Sequence, residues 1–298
     1  MKNWKIWVDA ARPQTLAAGF IPVLAGASLA YASNEIHPLA TATALFCALA
    51  IQIGTNYAND YFDFKKGADT DQRIGFERAT ASGKIQPEKM FYAAIISMGL
   101  AFSAGLYLVW IGGWVIFLIG VFSLIFGFLY TAGPFPLGYN GLGDLFVFIF
   151  FGIIAVMGTF YVNTLQWSME AFWISIPVGA LCVNILVVNN LRDIDQDRLS
   201  GKKTLGVIFG EKTLKLEYLF MLVLSFYPLS VLYSHFDYTA AIFLPLLGIP
   251  FILSQLKTVW FHANKSVLNH TLERTAQFMI IFGVLLSIGI LLQSNSYA

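Results

Sequence analysis

Asn56, Asp60 and Asp63 stand four and three residues apart in QIGTNYANDYFDFKKGADTD (residues 52–71), at the polar end of an apolar stretch. On a helix that spacing puts them on one face, with Gln52 one turn away. Asn189, Asp193 and Asp197, each four apart, repeat the arrangement in NNLRDIDQDRLSGKKT (189–204). Carboxylates at a membrane boundary are costly and usually functional. If the two clusters face each other they repel, by about 4 kcal/mol for each unit pair 4 Å apart at an effective dielectric of 20. A cation has to offset that repulsion. Hard oxygen donors with no His or Cys nearby favour Mg2+ over zinc, and Mg2+ completes its shell with phosphate oxygens and water. The expected ligands are Asn56, Asp60, Asp63, Asp193 and Asp197, with the four aspartates as the catalytic groups. Asp195 cannot share a face with both Asp193 and Asp197 and is left outside.

Basic side chains sit in the same two stretches: Lys65, Lys66, Arg73, Arg78 and Lys84 in one, Arg192, Arg198, Lys202 and Lys203 in the other. Most serve equally well as anchors at the lipid headgroups. Arg78 and Lys84, which flank the Ser82-Gly83 turn, and Lys202 after Gly201 are the expected pyrophosphate contacts. Asn59, Asn189 and Asn190 join them as candidates for substrate binding. A pyrophosphate held by metal and basic groups at the mouth of an apolar bundle suits an allylic diphosphate with a long isoprenoid tail. Developing charge on the leaving group is the best target for electrostatic catalysis.

The elements that position these residues are membrane helices. Of 298 residues, 57% are apolar and 12% charged, and the mean hydropathy is +0.69. A soluble domain carries about a quarter charged residues. The net charge of +1 offers no basic excess for nucleic acid. Cys47 and Cys182 both lie in apolar runs and read as small buried hydrophobes. Spans of roughly 20 apolar residues fall at 14–32, 38–58, 90–110, 113–131, 143–163, 171–190, 216–234, 238–256 and 275–293. The expected fold is therefore an all-α integral membrane protein, one transmembrane domain of about nine helices over 1–298. With the N-terminus in the cytoplasm, all 18 Lys and Arg residues fall in inside segments, as the positive-inside rule requires. The motif loops 59–89 and 191–215 follow the second and sixth spans, which run the same way. That parity suggests two four-helix pseudo-repeats plus a ninth helix, with the shared site between the halves. In the sixth span, Asn184 reads as an interhelical hydrogen bond, or else as a cavity-lining group; just inside the fifth, Asp144 reads as a helix-start carboxylate or as a group that orients a bound substrate.

At these residues the sequence resembles the UbiA superfamily of intramembrane aromatic prenyltransferases. NDYFD (59–63) is similar to the family's first aspartate motif, DIDQD (193–197) to its second, and RATASG (78–83) to its Arg-to-Ser-Gly segment. ARPQTLAAGFIPVLAG (11–26) and YTAGPFPLGYNGLGDLFVFIFFG (130–152) extend the likeness and point to the menaquinone branch. The resemblance implies Mg2+ dependence and a site facing the cytoplasm at the cell membrane. It implies a polyprenyl diphosphate donor and 1,4-dihydroxy-2-naphthoate as acceptor, giving demethylmenaquinone with loss of the carboxylate. It also makes Arg12 and Tyr130 substrate-binding candidates. Two departures stand out. Gly67 occupies the place of a further Asp of the first motif, which leaves Asp69 as a substitute and puts both Asp69 and Asp71 in second rank. Loop 132–142 carries no charge, where benzoate-using relatives have a basic residue shortly after the Tyr. The alternatives are a different aromatic acceptor or, from another class, a cation-coupled transporter. A transporter would place its acids near the bilayer midplane.

Overall fold

The computed structural model describes residues 3–69 and 74–294, and among them every regular element is helical. The helices are α1 (Asn3–Ala10), α2 (Ala17–Ala32), α3 (Pro38–Lys65), α4 (Pro87–Leu129), α5 (Gly143–Thr164), α6 (Met169–Leu199), α7 (Leu205–Phe209), α8 (Glu211–His235), α9 (Ala240–Phe261) and α10 (Leu268–Ser294). Prolines open α3 and α4, where the missing N–H costs nothing. Ser168 caps α6, its hydroxyl accepting from the N–H groups of Glu170 and Ala171. Seven helices are long and apolar enough to cross a membrane. The pair Trp4–Thr15 and Ala17–Ala32, bent by 54°, makes an eighth if it forms one span.

Helix α4 is not one rod. Straight, its 43 residues would extend about 65 Å, roughly twice the hydrocarbon core of a bilayer. Gly113, at φ 67° and ψ −155°, breaks it. A Cβ placed on Gly127 would lie 3.1 Å from Met98 Cε, two positions that a straight helix would hold about 44 Å apart. The arms before and after Gly113 therefore fold back on each other, and only glycine adopts that backbone readily.

Helix α6 is the axis of the bundle. In its most apolar stretch 78% of residues are buried, against 17% for α4. It packs on α5, α8 and α10, and its contact with α5 is close because Gly152 and Gly179 meet: a Cβ on Gly152 would lie 2.7 Å from Gly179 Cα. In α5, a wide π-helical stretch at Phe148–Ile154 sets Phe150, Phe151 and Ile154 on the wall of the cavity described below. Two expected boundaries need correction. The second and sixth spans do not end at 58 and 190 but continue as helix to Lys65 and Leu199. Both acidic clusters are thus helical, and the loops that follow them supply the partners that let these polar ends stay folded.

Candidate active site

A large cavity runs from these helix ends down between α2, α3, α4 and α5, with an empty volume of about 2370 Å³ including its mouth. Its deep walls are apolar: Val109, Ile116, Phe117, Leu124 and Phe150 line them. Its polar end gathers Arg12, Gln52, Asn56, Asn59, Asp63, Arg78, Tyr130, Tyr139, Asn189, Asn190, Asp193, Asp197 and Lys202. Both clusters thus face one space.

Asp63, buried, is the hub. The Tyr139 hydroxyl donates to its Oδ1 at 2.7 Å, Lys202 Nζ lies 3.3 Å from Oδ2, and Arg78 lies 3.7 Å away. Lys202 also reaches Asp197, at 4.0 Å. On α6 the guanidinium of Arg192, 1% exposed, grips both oxygens of Asp193 at 2.7 Å. The same group donates to Asn189 Oδ1 (2.7 Å) and to Asn269 Oδ1 of α10 (3.0 Å). Asn59 is held by the Thr131 hydroxyl. Asn56 donates to the Ala11 carbonyl at 2.8 Å and to the Thr15 hydroxyl at 3.0 Å. It thereby fixes the turn in which Arg12 takes a left-handed backbone, φ 54° and ψ 72°. Such strain in a non-glycine residue persists only where the surroundings impose it.

The structure brings together eleven of the thirteen candidates and leaves two out. Asp60 is not among the cavity-lining residues: both its oxygens accept backbone N–H groups of the 78–83 turn. Asp60 lies about 60° round the helix from Asp63, so the lining face is Gln52, Asn56, Asn59 and Asp63. Lys84 is half exposed and pairs with Glu77. Asp69, ranked second from the sequence, has a side chain 1% exposed with Arg78 Nε at 3.5 Å. Asp195 is exposed and pairs with Lys265. Asp71 and Arg73 lie outside the described residues. Asn184 does not make the expected interhelical bond: it is fully buried, and neither side-chain polar atom has a hydrogen-bond partner among the described residues.

Sequence reasoning missed Tyr139. Its ring lies under two ammoniums, Lys66 at 4.3 Å and Lys202 at 4.7 Å. Burial, then the Asp63 carboxylate, push its phenol far above the ordinary value, so it remains a donor. Lys66, whose ammonium also donates to the Thr131 carbonyl, is lowered chiefly by burial. The uncharged loop 132–142 thus draws its cations from α3 and from the loop after α6. The only clue in the sequence was an aromatic residue between glycines in PLGYNG.

The donor set suits a divalent cation of the hard kind. Asp63, Asp193 and Asp197 offer carboxylate oxygens beside the amides of Asn59 and Asn189. Among the described residues no three acidic, His or Cys side chains converge as a closed metal cage.

The sequence profile of the UbiA prenyltransferase family matches residues 19–269. A Bacillus subtilis (strain 168) protein named 1,4-dihydroxy-2-naphthoate octaprenyltransferase is 35% identical over 287 residues, 94% of this chain and 90% of that one. An Escherichia coli (strain K12) protein of the same name is 34% identical, over 96% and 95% of the two chains. Among solved structures, a UbiA homolog from Archaeoglobus fulgidus bound to GPP and Mg2+ superposes with a TM-score of 0.65 at 14% identity, covering 95% of this chain and 100% of that one.

Proposed function

We propose, from the premise that the chain belongs to the UbiA prenyltransferase family, that it transfers a polyprenyl group from an allylic diphosphate to 1,4-dihydroxy-2-naphthoate in menaquinone biosynthesis. Relatives carrying that name over most of their length support this acceptor. The observation that carries the reaction type is the cavity itself: two carboxylate clusters with their cations at one end and apolar walls beyond. A coupled transporter would not need such a long apolar chamber ending in Arg78 and Lys202.

In this reading the diphosphate lies among Asp63, Asp193 and Asp197, and the tail lies along α4 and α5. A bound divalent ion, Mg2+ in our proposal, would be held by those three aspartates with Asn59 and Asn189 and would neutralise the departing pyrophosphate. Arg78 and Lys202 already neutralise Asp63 and turn to the phosphate oxygens as the C–O bond breaks. Developing negative charge then meets fixed donors, which is where electrostatic catalysis gains most. The allylic carbon bonds to the naphthoate ring, which loses its carboxylate as carbon dioxide. Tyr130, with Gly138 and Gly143 close against its ring, and Arg12 form the wall that faces the acceptor. The deep apolar chamber keeps water from the cation-like intermediate.

Counting the arms of α4 separately and the bent N-terminal pair as one, the bundle has nine spans. The N-terminus and the site then face the cytoplasm at the cell membrane, and the whole chain is one domain of two four-helix repeats and a final helix. The test is transfer from a labelled polyprenyl diphosphate to dihydroxynaphthoate by purified protein, with and without Mg2+. Prenylated naphthoquinol that depends on a divalent ion is expected. Ion-driven uptake in proteoliposomes without any prenyl product would reverse the reading.

A further inference from the structure

The turn at residues 78–83 closes as one helical turn. The Ser82 N–H donates to the Arg78 carbonyl at 3.0 Å, and Gly83 ends the turn at φ 71°. The first N–H groups of such a turn have no partner within it. Asp60 supplies one from α3: Oδ2 accepts from the Ala79 N–H at 3.1 Å and Oδ1 from the Thr80 N–H at 3.0 Å. Asp60 is 1% exposed. The residue just before these two N–H groups is Arg78, which lines the cavity, 3.5 Å from Asp69 and 3.7 Å from Asp63. Asp60 therefore touches backbone, and Arg78 touches the site.

We propose that Asp60 is a positioning residue and not a metal ligand: its carboxylate clips the 78–83 turn to α3 and fixes Arg78 at the pyrophosphate end of the cavity. The assignment deepens the prenyl-diphosphate reading and rests on it for the identity of the bound anion. Both carboxylate oxygens are committed to charge-assisted bonds with backbone donors, and a cation placed there would be forced against those N–H groups. Asp63, one turn on, has only side-chain partners for its carboxylate among the described residues, and these are free to move to a phosphate. The divided roles explain why two aspartates three residues apart are both buried while only one lines the cavity.

The test uses the full-length protein in detergent with Asp60→Asn, which keeps the shape and one acceptor, and Asp60→Ala. The first measurement is trypsin cleavage after Arg78 and Lys84 in protein without substrate. Loss of one or both backbone bonds is expected to raise cleavage about ten- to a hundredfold. The second is steady-state kinetics: KM for the prenyl diphosphate rises by a similar factor, kcat changes less, and the Mg2+ concentration for half-maximal rate at saturating donor stays within about twofold. The third is a cycle with Arg78→Gln, in whose background Asp60→Asn adds little. A large increase in the Mg2+ requirement with unchanged trypsin protection would make Asp60 a metal ligand and overturn the proposal. So would full additivity with Arg78→Gln. The trypsin arm needs no turnover: if the wild type transferred no prenyl group while Asp60→Asn still freed the turn, the functional reading would fail and the clip would stand.

Discussion

Gly120 offers a direct measure of whether the chamber holds an isoprenoid tail. It lies mid-helix in the second arm of α4 and lines the cavity, and a Cβ built on it meets nothing within 4 Å. Glycine inside a helix costs about 0.8–1.0 kcal/mol relative to Ala, so its presence there calls for a reason that packing does not give. Gly99, in the first arm, is exposed, lies off the cavity and has equally open space. Gly120→Leu and Gly99→Leu should therefore stabilise the folded protein alike, or leave it unchanged. Only Gly120→Leu places a side chain where the tail runs. Overpacking a filled site costs about 1–3 kcal/mol, which is about 5- to 150-fold in kcat/KM. The donor's length supplies the control. Gly120 is about 15 Å along the helix from Tyr130. A ten-carbon donor, whose eight-bond chain spans at most about 12 Å at ~1.5 Å per bond, stops short of it. Kinetics with C10 and C40 diphosphates should show a loss with the long donor alone for Gly120→Leu, and none for Gly99→Leu. Equal loss with both donors, or no loss with either, would refute a tail in this chamber.

Further outcomes follow from single contacts. Asp63→Asn should lower the rate of transfer by about 10²–10³-fold, the scale for removing one electrostatic element of a site, while the protein still purifies as a monodisperse species; wild-type turnover in that variant would remove Asp63 from the metal site. Tyr139→Phe loses the hydrogen bond to Asp63 and should destabilise by about 1–3 kcal/mol, because a charged acceptor loses its donor. Its pH dependence has a fixed sign. The folded-state phenol is raised above the ordinary value of 10.0, so the stability it confers is whole below pH 10 and is lost as the pH rises past it. The difference in unfolding midpoint between wild type and Tyr139→Phe should stay constant to about that pH and narrow above. Gly26→Val should unfold the bundle or prevent its assembly, since even a Cβ there would lie 2.5 Å from the Val156 carbonyl oxygen of α5; an unchanged melting temperature would show that α2 and α5 are not so closely packed.

Helix placement was readable because the apolar stretches are long and the charges confined: the segments meant for 38–58 and 171–190 begin within two residues of α3 and α6. Their ends were not readable, because hydropathy stops at the first carboxylate, whereas the backbone stays helical as long as something satisfies its polar face. What satisfies it here is distant in sequence. Arg192 donates to Asn269 of α10 at 3.0 Å, and Gln196 donates to the Ala68 carbonyl at 2.9 Å. The break at Gly113 falls at the first residue of the span expected at 113–131, beside the expected gap, and a division there is legible because no single helix of that length fits a bilayer.

The same distinction explains the site. Spacing told that Asn56, Asp60 and Asp63 share a broad helix face, but a face about 60° wide can look two ways. One side of it looks into the cavity and the other at a loop joined to it only through backbone N–H groups, which leave no trace in a sequence. Asp60 therefore leaves the lining set, and Asp69, which does not line the cavity either, stands behind Arg78. Asp60 sits in the motif yet serves the 78–83 turn, whereas Asp69, outside the helix and beyond Gly67, reaches Arg78 beside Asp63. Gly67 is what allows this: at φ 67° it ends α3 in the left-handed region that closes a helix, and the chain turns back so that Ala68 N–H bonds the Asp63 carbonyl at 2.9 Å. An aspartate at position 67 would need that strained backbone and would point elsewhere. The glycine that looked like a lapse in the acidic pattern is the hinge that delivers the next carboxylate to Arg78.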